Sequence, residues 1–280
     1  MNYYIIGIIL LIIIIFLIKI IFKVESFNNS NTKSYILLEE PNNKIKSIDI
    51  IDNPSNTLIP LNIFMTWNSS KFPPNMKKSI NIIISKNSEF NFYIYSDKDC
   101  HDFLEKYFIK EVVDAFDCLI PGAYKADLWR YCILYKYGGI YQDIKFYPVN
   151  KFKYIDLINK EYFVRDTKNS GGGIYNALLI CKPYNNILYK SIKQILINVK
   201  THFYGKSCLE PTGPLLMKQF FTKNEINNLE LYNGWSFIND GIYKNNIKIL
   251  NFYKNYRKEQ NKSTKPHYTY SYKNKNIYNC

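Results

Sequence analysis

Leu128, Tyr131, Cys132 and Tyr135 recur at i, i+3, i+4 and i+7, the spacing of one buried helix stripe. They predict a helix over 123–137, opened by Pro121-Gly122 and stopped by Gly138-Gly139. Asp127 and Arg130, three apart, share a different face of that helix. From 140 to 147 the period changes to two. Ile140, Ile144 and Phe146 take one side of a predicted strand, Tyr141, Asp143, Lys145 and Tyr147 take the other, and Pro148 closes it.

Elsewhere, apolar runs at 61–65, 81–84, 92–95 and 177–181 predict strands, and 100–116 and 188–199 read as helices. Strands interleaved with helices predict an α/β domain with a mixed, largely parallel sheet, whose ligand site lies beyond the strand ends. Ser170-Gly171-Gly172-Gly173 lacks the lysine and the strand-helix frame of a P-loop, so it reads as a flexible loop or a turn before a strand at 174–181.

The N-terminus has a different pattern. Residues 3–22 are almost wholly apolar with Lys19 the one charge, and about 20 helical residues span a bilayer core of about 30 Å. No basic residues precede the run and no A-x-A-like site follows it, which favours a single-pass anchor over a cleaved signal. The predicted organisation is an anchor at 1–24, a polar stem at 25–57 with a short strand at 35–38, and one α/β domain at 58–280.

An Asp and an Arg three apart on a helix are ordinarily a solvated ion pair contributing a few tenths of a kcal/mol. Here D-x-x-R is followed by Gly138-Gly139-Ile140 and then by Tyr141-x-Asp143, so helix, glycine stop and strand aim polar groups at one point. That joint pattern suits a phosphate-bearing sugar donor.

The run from Gly122 to Lys145 resembles the sugar-binding DxD region of the glycosyltransferase family that includes fungal initiating mannosyltransferases, and its spacing is also that of the large clostridial glucosylating toxins. Ile59-Pro60 with Thr66-Trp67 is similar to the family's opening strand, with Met65 or a neighbour in place of its His. Phe92 to Asp97 is similar to its second strand, Thr212-Gly213-Pro214 to its T-G-P turn, and His267 with Ser271-Tyr272 to its C-terminal H…S-W, with Tyr for Trp.

The resemblance implies a GT-A fold, a Rossmann-like α/β sandwich, and a transfer that retains the sugar's anomeric configuration. Carried over, Asp127 and Arg130 hold the donor sugar and its phosphate, Tyr141 packs near the ribose, Asp143 is the first Asp of DxD, and Ser271 and Tyr272 join the donor site. Trp67 stacks on the base; its alternative is a core aromatic at a strand end. Lys145 departs from the pattern, because the family's second Asp ligates a divalent cation and an ammonium cannot. Three arrangements are open. Lys145 sets its own charge against the diphosphate in place of Mn²⁺ or Mg²⁺; the cation stays, held by Asp143 and His267; or the protein binds donor and no longer transfers sugar. The expected catalytic set is Asp127, Arg130, Asp143 and Lys145.

The net charge is +14, and a basic protein gripping nucleic acid or an anionic membrane surface is the rival class. The lysines are scattered and no nucleic-acid motif accompanies them, so the expected partners are a nucleotide sugar, a glycan, protein or lipid acceptor, and a membrane. Density rises only over 244–275, a basic and aromatic segment able to meet a membrane face or cover the donor site. Lys19 and Lys23 would keep the domain cytoplasmic, whereas the resemblance implies a lumenal, Golgi-like position, so orientation stays open. A glycan on the sequon at Asn68 would crowd Trp67; further sequons stand at Asn28 and Asn261. His101 and His202 show no ligand spacing, and six widely spaced cysteines decide neither a metal site nor a disulfide framework.

Overall fold

The computed structural model describes residues 57–234, 241–260 and 266–280. The anchor and stem, the strand at 35–38, and the sequons at Asn28 and Asn261 lie outside the described residues. Among those described, no helix is long and apolar enough to cross a membrane.

Among the described residues, nine strands form one mixed sheet in the order β2-β1-β3-β6-β5-β7-β8-β9-β4. They are β1 (Asn62–Thr66), β2 (Asn91–Tyr95), β3 (Gly139–Gln142), β4 (Phe146–Pro148), β5 (Tyr162–Arg165), β6 (Ile174–Cys181), β7 (Leu231–Asn233), β8 (Gly241–Lys244) and β9 (Ile247–Phe252). The expectation of a largely parallel sheet is corrected. Only the β1–β2, β1–β3 and β5–β7 ladders are parallel, because β6 inserts antiparallel between β3 and β5, and hairpin-like neighbours β7, β8, β9 and β4 alternate. Even so, β1, β2, β3, β5 and β7 all run one way, so their carboxyl ends share one edge, where open α/β sheets bind ligands.

The helices are α1 (Pro74–Lys86), α2 (Asp97–Tyr107), α3 (Lys110–Cys118), α4 (Gly122–Tyr137), α5 (Asn186–Lys200), α6 (Pro214–Lys218), α7 (Lys223–Asn227), α8 (Tyr256–Gln260) and α9 (Tyr268–Lys273). The run at 81–84, expected as a strand, lies inside α1. Pro74 opens that helix, and Met76, Ser79, Ile80 and Ile83 supply a buried 3.6-period stripe that overrides the β-branched isoleucines. The single helix expected over 100–116 is two helices, because Phe108 and Ile109 are extended. Ser96 and Asp99 form a reciprocal cap that starts α2.

The strand expected over 140–147 also breaks. Asp143 N–H donates to Ala177 O at 2.8 Å, and Phe146 N–H donates back to Asp143 O at 3.1 Å, closing a turn after β3. β3 pairs with β1 and β6, while β4 crosses to the far edge beside β9. Helix α4 is the core of the domain: buried residues occupy every side of it, including Leu128, Trp129, Tyr131, Cys132, Ile133 and Leu134. It is therefore not a one-stripe surface helix, and Asp127 and Arg130 are carried inside with it. Gly138 ends it at φ 62°, where an added Cβ would stand 2.6 Å from Pro183 Cδ.

The candidate donor-sugar site

The carboxyl ends of the co-directed strands open onto a cleft of about 1060 Å³, roomy enough for a nucleotide-sized ligand. Thr66 and Trp67 come from the end of β1, Asp143 and Lys145 from the turn after β3, Asp166 from the end of β5 and Asn233 from β7. Residues of 252–260 and 266–268 form the opposite wall, so part of the basic, aromatic segment does lie over the site.

At the floor, Asp127 and Arg130 are 8% and 6% exposed, which excludes the solvated pair. Asp127 Oδ1 lies 3.6 Å from Arg130 Nη1 and accepts from Asn176 Nδ2 at 3.1 Å; Oδ2 accepts from Thr212 Oγ1 at 2.8 Å. Asn176 Nδ2 also donates to Tyr131 Oη at 2.5 Å, and Tyr131 donates on to Thr212 O at 3.0 Å. A Cβ on Gly213 would approach Asp127 Oδ2 to 3.3 Å, so the Thr212-Gly213 turn lies close against that carboxylate. Burial pushes the Asp127 carboxyl above its ordinary range, against the pull of Arg130, Asn176 and Thr212.

Arg130 donates from Nε to Ala126 O at 3.0 Å and from Nη1 to Asn176 O at 2.7 Å. Its guanidinium carbon sits 4.4 Å from the centre of the Tyr141 ring, a cation–π contact, and Nη1 is 3.5 Å from Asp143 Oδ1. Tyr141 Oη donates to Asp143 Oδ1 at 2.7 Å, and Lys145 Nζ meets Asp143 Oδ2 at 2.7 Å. Burial alone would raise the Asp143 pKa, but the charges of Lys145 and Arg130 outweigh it and hold the carboxyl below its ordinary value. Lys145 is driven the other way: burial opposes its charge, and Asp143 more than restores it.

Two expected donor residues are not in the cleft. Ser271 is buried within α9, and Tyr272 turns outward, donating to Gly205 O at 3.1 Å with its ring 5.9 Å from Tyr204. One helical turn sets the difference, because α9 places His267 and Tyr268 at the cleft and the following residues behind it. Trp67 is half-buried on the cleft wall, its ring edge-on to Tyr256 at 6.3 Å, so it is not a closed core aromatic. Asn68 lines the cleft beside it. The 170–173 segment is a turn before β6, with Gly171 at φ 85° and Lys218 Nζ on its carbonyl at 2.6 Å.

Sequence reasoning missed Asn176 and Asp166. Asn176 lies in the apolar strand Ile174–Cys181, where its polarity was the only cue. Asp166 is 7% exposed and accepts from Thr167 N–H at 2.8 Å and Asn233 Nδ2 at 2.9 Å.

A divalent cation does not fit the donor set at the DxD position. Mg²⁺ wants six oxygens in near-octahedral array, yet the side chain here offers one carboxylate, with one oxygen on the Lys145 ammonium and the other on Tyr141 and Arg130. His267, the second expected ligand, caps α9 and holds Thr269 Oγ1 to Nδ1 at 2.7 Å. Among the described residues, trios of potential ligands gather only at His101, Asp102 and Glu105 and at Cys118, His202 and Cys280, of which the last includes a disulfide.

Residues 73–164 match the family described as the glycosyltransferase sugar-binding region containing the DXD motif. These residues are similar to that sugar-binding region. That region holds Asp127, Arg130, Asp143 and Lys145. Over 122 residues the chain is 29% identical to an initiation-specific alpha-1,6-mannosyltransferase of Candida albicans, covering 40% of this chain and 30% of the relative. Over 165 residues it is 26% identical to inositol phosphoceramide mannosyltransferase 3 of Schizosaccharomyces pombe, covering 57% and 44%. The chain thus spans less than half the length of either relative. The solved PaToxG glycosyltransferase superposes with a TM-score of 0.44 at 19% identity, over 57% of this chain and 68% of that one.

Proposed function

We propose that the protein moves a hexose from a nucleotide-sugar donor to a hydroxyl of a glycan, protein or lipid acceptor, on a GT-A framework. One observation carries the reading: a buried carboxylate, Asp127, held on both oxygens by neutral donors and set beside Arg130 at the floor of an open cleft. A buried carboxylate with a perturbed pKa beside a charged partner in a cleft is the mark of a functional site, and an acid fixed in this way accepts from sugar hydroxyls without rearranging.

In this reading Arg130 and Lys145 face the leaving diphosphate, and Trp67 offers its ring to the base. Departure of the nucleoside diphosphate leaves an oxocarbenium-like sugar, and the acceptor hydroxyl attacks the face from which the phosphate left, giving its proton to the departing diphosphate, so configuration is retained. No side chain is assigned as a covalent nucleophile. The residues 1–24 tether the domain to a membrane. Two relatives bear the names of mannosyltransferases, so mannose-bearing nucleotides head the panel of donors.

The test is release of nucleotide from a panel of nucleotide sugars by the full chain in detergent. Turnover of one donor, lost in Asp127→Asn, supports the enzyme. Donor binding with no turnover in any acceptor mixture supports the second reading, a donor-binding homologue without transfer.

A further inference from the structure

We infer that the Lys145 ammonium is a built-in replacement for the divalent cation, so that the cleft takes the diphosphate group of its ligand without metal. The inference rests on the donor reading above, and it follows from charge and from how firmly Lys145 is held.

The charge argument uses four side chains. A site with carboxylates at 127, 143 and 145 and a guanidinium at 130 carries −2, and one divalent cation brings it to zero. With lysine at 145, Asp127 and Asp143 against Arg130 and Lys145 already sum to zero. The protein reaches without metal the local charge that two DxD carboxylates reach only with it. A divalent ion arriving here would meet a carboxylate that is already neutralised, and an ammonium at close range.

The position is also built. The turn after β3 is pinned by Asp143 N–H on Ala177 O at 2.8 Å and Phe146 N–H on Asp143 O at 3.1 Å, and Lys145 O accepts from Tyr253 N–H at 3.1 Å. The ammonium lies near two rings, with Nζ 5.4 Å from the centre of Phe146 and 5.3 Å from that of Tyr175. Its side chain keeps 18% exposure and lines the cleft. An ion pair with no other task needs neither the opening nor the aromatic walls. An ammonium has three protons; with one on Asp143 and one shared with the Tyr175 side chain, a third remains for phosphate oxygens.

The ligand chemistry is a diphosphate, whether from a nucleoside or a diphosphate carrier without a base. Calorimetric titration of the full chain with UDP, GDP and inorganic pyrophosphate, each in EDTA and in Mn²⁺, separates these. The expected result is binding of one nucleotide with affinities in the two buffers within about threefold. Lys145→Met should weaken that binding in EDTA by about tenfold or more, as loss of a charge-assisted contact does. Lys145→Asp should bind in Mn²⁺ and fail in EDTA, a gain of metal dependence that a merely structural lysine would not give. Pyrophosphate binding as tightly as the nucleotides assigns the site to a base-free diphosphate and leaves the inference standing. Nucleotide binding by the unaltered chain only in Mn²⁺ overturns it, as does unchanged affinity in a folded Lys145→Met. The comparison of buffers on the unaltered chain decides the matter if either variant fails to fold. No binding of any probe in either buffer removes the donor reading itself.

Discussion

Thr212 Oγ1 donates to Asp127 Oδ2 at 2.8 Å and joins two residues 85 positions apart at the floor of the cleft. The bond fixes one carboxylate oxygen while Asn176 fixes the other. Thr212→Val keeps the shape and removes the donor, leaving a buried carboxylate oxygen short of a partner. The expected cost is about 1–3 kcal/mol of stability, read by urea denaturation. Donor turnover should fall further than the lost stability explains, and Thr212→Ser should restore both.

Asp143 gives a pH signature. Its folded pKa lies below its unfolded value near about 3.9, because Lys145 and Arg130 outweigh burial. Its ionisation therefore contributes stability that is fully present above the unfolded pKa and is lost as pH falls through the folded one. Asp143→Asn removes that contribution and strands the Lys145 charge. The melting temperature of the variant should lie well below that of the parent at neutral pH, and the gap should close below about pH 4. A gap that is constant across the titration would show that the carboxylate's charge is not what the pair uses.

The helix of the site was legible from its period and its glycine stop, and α4 runs within one residue of its predicted span. Asp127, Arg130, Tyr141, Asp143 and Lys145 come together as the pattern of D-x-x-R and Y-x-D implied. The turn at Asp143 was not legible, because an alternating octet reads as one strand whether or not the chain bends in its middle. The charged atoms of residues 143 and 145 meet at 2.7 Å within that turn. Ser271 and Tyr272 stand behind the cleft lining, because a short motif fixes the chain position of a residue and not which side of a one-turn helix it takes. The order of a sheet is set by long-range pairing, and the antiparallel insertion of β6 leaves no local trace.

The Cys118–Cys280 disulfide, with a Cα–Cα distance of 5.2 Å, closes a separation of 162 residues. It ties α3 to the segment that carries His267 and Tyr268, alongside the bond from Ile120 N–H to Ile277 O at 3.0 Å. Cys118→Ser should lower stability by about 2–4 kcal/mol through the freed chain of the unfolded state, and unreduced peptide mapping should recover the Cys118–Cys280 pair. In the native protein iodoacetamide should label Cys208 first. Cys100, Cys132 and Cys181 are buried, and burial pushes their thiols well above the ordinary range.

Trp67 separates the base from the phosphate in the proposed site. Its ring is half-buried and meets Tyr256 edge-on, leaving indole surface on the cleft wall. A base stacked on an aromatic ring contributes about 1–3 kcal/mol. Trp67→Ala should therefore weaken binding of the preferred nucleoside diphosphate by about tenfold or more, with pyrophosphate affinity changed by less than about twofold. Its melting temperature should stay near that of the parent, since a half-exposed ring leaves little cavity. Equal weakening of nucleotide and pyrophosphate would instead make Trp67 a support for Tyr256 and the 252–260 wall, and the base would have to be sought elsewhere in the cleft.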